Sequence, residues 1–132
     1  MKILSIRQFN RKLKATVQQT GRLSFNEETV KALSLADKFG IKFFMEGEPE
    51  ELYMAIMEAQ DEDSFPIRKS GAYFYVDTKL LFDELQVDYK AYTVFYDLVR
   101  CATYDDDAGG ECYKMNKRTI KKKLKDDNID EQ

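Results

Sequence analysis

Histidine is absent from this sequence, and with it go the commonest general base, the commonest metal ligand and every Ser-His or Cys-His catalytic pair. Cysteine occurs only as Cys101 and Cys112, too few for a disulfide framework and without the neighbours of a zinc site. The pair reads as reduced packing residues; a cross-strand disulfide would require the two to face each other over a hairpin. No apolar run approaches the ~20 residues that span a bilayer. The start, Met1-Lys2-Ile3-Leu4-Ser5-Ile6-Arg7, is interrupted by polar groups too soon for a signal peptide. A cytoplasmic protein without a membrane segment is therefore expected.

Two further absences concern chemistry. Gly109-Gly110 lies between predicted strands rather than before a helix, so it offers no phosphate cradle. A calcium loop through Asp105, Asp107 and Glu111 fails because Gly109 stands where an oxygen ligand belongs. Glu46, Glu48, Glu50 and Glu51 fall in a turn with no reason for shifted ionisation, so no catalytic residue, metal site or cofactor is expected.

What is present is 132 residues, 43% of them hydrophobic, which suffices for one buried core. The charge is segregated. Residues 1–22 carry six basic side chains and no acidic one, residues 23–113 carry eight basic and twenty acidic ones, and residues 114–125 add seven basic ones. Basic ends around an acidic middle suggest either a nucleic-acid surface or internal neutralisation.

Ile6, Phe9, Leu13 and Val17 recur at three- and four-residue steps and predict an amphipathic helix over 5–20. Ser5 with Gln8 forms a capping box, Leu4 with Phe9 a hydrophobic staple, and Gly21 a stop. The remainder reads as an internal duplication at an offset of 51 residues. Leu23 and Phe25 match Phe74 and Val76 as strand residues; Asn26 matches Asp77, both good helix caps. Short helical segments over 27–35 and 78–87 follow. Ile41, Phe43 and Met45 then match Tyr92, Val94 and Tyr96, with Phe44 and Phe95 matched on the opposite face. Each copy closes with a hairpin, through Gly47-Glu48-Pro49-Glu50 in the first and through the longer 105–110 segment in the second. The expected fold is α+β: one domain over 1–116, with a β-α-β-β unit over 21–60 and another over 71–116, forming a pseudo-two-fold barrel-like body. Asp61-Glu62-Asp63-Ser64-Phe65-Pro66 reads as the linker between units, and 117–132 as a mobile tail.

Thr20-Gly21-Arg22-Leu23-Ser24-Phe25, the capped short helix through Val30 and Leu33, Leu35 and the strand over 41–45 resemble the AbrB-like swapped-hairpin family. That resemblance implies two interleaved units in one barrel, here carried in tandem by one chain, and DNA binding through basic residues. Only Arg22 carries over from the family's basic contacts.

Two functional expectations follow. The first is a non-enzymatic nucleic-acid-binding or regulatory protein whose phosphate contacts are Arg7, Arg11, Lys14, Arg22, Lys117, Arg118, Lys121, Lys122 and Lys123. The second is a protein-interaction module that docks a protein partner on its acidic surface or on Phe44 and Phe95. Tyr73, Tyr75, Tyr89, Tyr92 and Tyr96 serve either as stacking surfaces for single strands or as half-buried strand packing.

Overall fold

The computed structural model of the chain describes Met1 and residues 13–122. In Lys14–Val17 (β1), Ala15 and Val17 are buried while Lys14 and Thr16 are half-exposed, a period of two that belongs to a strand. The helix expected over 5–20 is corrected here. Ala15, Thr16 and Val17 pair with Phe25, Ser24 and Leu23 of β2 (Leu23–Phe25), and Gly21, at φ +86°, turns the hairpin instead of ending a helix. Residues 13 and 17 are one helical step apart, but 13, 15 and 17 also alternate, and pairing along both edges decides for the strand. The earlier part of that helix, with Ser5, Gln8, Leu4 and Phe9, lies outside the described residues.

Helix α1 (Glu27–Ala32) begins at Asn26, whose side-chain oxygen accepts the Thr29 N–H at 2.9 Å. A 3-10 turn, Leu35–Asp37, leads into the hairpin of β3 (Gly40–Glu46) and β4 (Glu51–Met57). Three short strands follow, β5 (Ser64–Pro66), β6 (Arg68–Ser70) and β7 (Tyr73–Val76), then α2 (Lys79–Glu84). The last hairpin joins β8 (Tyr92–Arg100) to β9 (Glu111–Lys121) across a 3-10 turn, Ala102–Tyr104, and α3 (Asp105–Ala108).

Three expectations shift. Thr78, not Asp77, occupies the cap position of α2; the Asp77 carboxylate turns outward to Arg22 at 3.2 Å and Arg68 at 3.0 Å. Residues 64–66, expected as linker, pair with β3. Residues 117–121, expected in a tail, continue β9, with Lys121 opposite Tyr92.

All nine strands join one antiparallel sheet in the order β5-β3-β4-β9-β8-β1-β2-β7-β6. Its two outermost strands, β5 and β6, are separated only by Ile67, whose N–H donates to Phe39 O at 3.0 Å. The sheet therefore curls into a nearly closed barrel. Within it β2 lies beside β7 and β4 beside β9. Leu23, Leu35, Ile41, Met54, Val76 and Val94 fill the interior. Phe82 of α2 packs among them, its ring stacked on Tyr96 and edge-on to Phe43. Thr29 pins α1 to β1: its hydroxyl oxygen accepts the Lys14 N–H at 2.8 Å and donates to Lys14 O at 3.2 Å.

Candidate functional site

Residues directly opposite each other in an antiparallel ladder project from the same face. With Val94, Tyr96 and Leu98 inside, Phe95 and Asp97 of β8 face outward. Register then carries one outward row across six strands: Arg118 (β9), Phe95 (β8), Thr16 (β1), Ser24 (β2), Tyr75 (β7) and Arg68 (β6). Lys14 stands beside it, opposite Asp97.

The row is built from cation and aromatic pairs. Lys14 Nζ lies 4.7 Å and the Arg118 guanidinium 5.5 Å from the centre of the Phe95 ring. The Arg22 guanidinium lies 4.4 Å from the centre of Tyr75 and covers that ring. Two carboxylates temper the charge. Asp97 accepts two hydrogen bonds from Arg118, at 2.6 and 3.0 Å, and this pairing raises the guanidinium's affinity for its proton. Asp77 sits between Arg22 and Arg68. Four cations against two carboxylates leave the face positive.

Of the residues expected from sequence, Lys14, Arg22 and Arg118 meet on this face. Lys117 and Lys121 stand opposite Tyr96 and Tyr92, alternate with Arg118 and so leave the row. Lys117 lines a cleft of about 370 Å³ with Leu52, Leu85 and Met115. Lys122 Nζ donates to Tyr89 O at 2.9 Å. Arg7, Arg11 and Lys123 lie outside the described residues. The chain enters β1 where Leu13 O accepts from Leu98 N–H, and leaves β9 where Lys122 N–H donates to Ala91 O, at opposite ends of β8.

Phe44 and Phe95 do not share a surface. Phe44 stacks on Tyr53 at 5.3 Å and meets Tyr104 edge-on at 5.8 Å, beneath the 101–110 connection. Tyr89 and Tyr96 are core residues, and burial pushes the Tyr96 hydroxyl up to about 12. Sequence reasoning missed Arg68, Thr16 and Ser24. The alternation of Arg68 and Ser70 was the available signal, hidden in a segment too short to read as a strand.

The acidic groups gather elsewhere. Glu46, Glu48 and Glu50 are exposed around the β3–β4 turn. A cleft of about 510 Å³ between the end of β4 and the 109–111 segment is lined by Lys38, Glu58, Asp61 and Glu111. Lys38 holds Glu58 at 2.8 Å and Lys42 holds Asp61 at 2.9 Å, and these bonds keep both carboxyls below their usual range. Asp105 is structural: it takes two hydrogen bonds from Arg100 and one from the Cys112 N–H, locking the long hairpin. Beside it Cys101 and Cys112 face each other as free thiols, with the Cys101 N–H donating to Cys112 O at 2.9 Å. Among the described residues no group of three or more Cys, Asp or Glu has metal-binding geometry, and no helix is long and apolar enough to cross a membrane.

Searches against protein-family models, curated proteins and solved structures returned no match.

Proposed function

We propose that the protein is a non-enzymatic nucleic-acid-binding or regulatory protein of the cytoplasm that grips phosphates on the outward face of β9, β8, β1 and β2. The observation that carries this reading is the convergence of Lys14 and Arg118, from the two basic stretches of the chain, on the ring of Phe95. Arg22 and Arg68 extend the positive field along that face, and Arg7, Arg11 and Lys123 belong to the same basic stretches as Lys14 and Arg118. We also read the chain as a tandem pair of AbrB-like β-α-β-β units; what supports this is that β2 and β7, and β4 and β9, lie side by side as counterparts in two such units would.

A fluorescence-anisotropy titration of the whole chain with labelled duplex DNA, single-stranded DNA and RNA tests the proposal. Binding at low salt that weakens steeply between about 50 and 200 mM salt is expected from phosphate contacts. Failure to bind any of the three at low salt overturns it.

A second reading, a protein-interaction module, draws on the exposed carboxylates of the β3–β4 turn, which suit a basic protein partner. Loss of a captured protein partner on neutralising Glu46, Glu48 and Glu50, with no nucleic acid bound, would favour it.

A further inference from the structure

The proposed nucleic-acid face is not evenly basic; its aromatic rings and cations are stacked in two stations. One is Phe95 with Lys14 and Arg118, the other Tyr75 with Arg22. Between them stand only the half-exposed Thr16 and Ser24, and Arg68 closes the far end. We propose, resting on the nucleic-acid reading above, that this face takes single-stranded nucleic acid in preference to duplex, with one base stacking at the Phe95 station and another at the Tyr75 station.

Duplex binding needs cations that track two backbones, or an element that enters a groove. Among the described residues this face is built from ladder positions of the barrel wall, with the row running across its strands rather than along a projecting helix. A single strand instead presents unpaired bases, which stack on aromatic rings or on the planes of guanidinium groups. Tyr75 itself is buried beneath Arg22, so the half-exposed guanidinium, held flat by the ring below it, supplies the stacking plane at that station, while the Phe95 ring is half-exposed beside its two cations. Phe95 and Tyr75 stand on strands three spacings apart, about 14 Å along the sheet, which is within the span of a few extended nucleotides. The side chains between them are small and uncharged, with the Ser24 hydroxyl donating to Thr16 O at 3.3 Å, so a backbone crossing there meets no carboxylate. Asp97 and Asp77 flank the row, each already held by an arginine.

The test uses the full chain with labelled oligo-dT and oligo-U strands of about twelve nucleotides and a mixed-sequence duplex of equal length. Oligo-dT or oligo-U should bind more tightly than the duplex. Phe95→Leu and Tyr75→Leu should each weaken single-strand binding about tenfold while leaving its salt slope unchanged, because stacking releases no counterions. Arg68→Ala should reduce the slope instead. Ser24→Glu, which leaves both rings in place, should also weaken binding about tenfold or more by putting a carboxylate under the backbone. Duplex bound as tightly as single strands, or unaltered single-strand binding by both Ser24→Glu and the folded ring variants, would overturn this inference and leave the broader reading standing. No binding to any probe would remove both.

Discussion

Arg118 grips Asp97 with two hydrogen bonds while its guanidinium lies over the neighbouring Phe95, so one side chain serves a carboxylate and a ring together. The carboxylate competes with any phosphate for that guanidinium. Asp97→Asn should therefore raise affinity for nucleic acid by about three- to tenfold, the scale of one surface charge. Anisotropy titrations at matched salt would show it, and an unchanged or weakened affinity would separate Arg118 from binding.

Thr29 is fully buried and satisfies both backbone groups of Lys14. Valine has the same shape without the hydroxyl, leaving the Lys14 N–H and C=O without this partner. Thr29→Val should cost about 1–3 kcal/mol in urea unfolding. It should also weaken nucleic-acid binding, because Lys14 is held in place through that contact. A stability loss with unaltered binding would show that the Lys14 position is fixed by β2 and β8 alone.

Among the described residues Phe82 is the largest fully buried side chain, and it joins α2 to the barrel through Tyr96 and Phe43. Truncation to alanine should cost about 3–5 kcal/mol, measured from the urea midpoint and slope. A cost below about 1 kcal/mol would mean that α2 does not pack tightly against the sheet.

Burial pushes the Cys112 thiol from 9.0 up to about 11 and the Tyr96 hydroxyl from 10.0 up to about 12. Both groups ionise more readily in the unfolded chain. Their contribution to stability is therefore complete below about pH 9 and is lost as pH rises through the folded values. Urea midpoints should fall between neutral pH and about pH 11, and the fall should be smaller in Cys112→Ala and in Tyr96→Phe. At about pH 8 a thiol reagent should label Cys101 well before Cys112, since the protonated buried thiol is a poor nucleophile. Equal labelling rates in the folded chain would contradict that burial.

Local signals carried far where they were redundant. Alternation marked Leu23, Phe25 and Val76 as strand residues, and the short polar side chain of Asn26 marked the start of α1. Hydrophobic alternation with flanking turn residues likewise located β3, β4 and β8. Lys14–Val17 was misread because its apolar spacing suits both periods, and only the hydrogen-bonding edges of β2 and β8 select the strand. Asp77 departs from the cap role because cap chemistry is local, whereas Arg22, just before β2, and Arg68 of β6 reach it from elsewhere in the chain.

The candidate site divides in the same way. Sequence alone established the segregated charge, the lack of histidine and the basic character of Lys14, Arg22 and Arg118, because these are properties of residue type. Tertiary structure decided that those three share a face with Tyr75 and Arg68 while Lys117, Lys121 and Phe44 do not. Which face a strand residue takes depends on register, and register is set by partners far along the chain: Thr16 stands opposite Ser24, 8 positions on, and Phe95, 79 positions on.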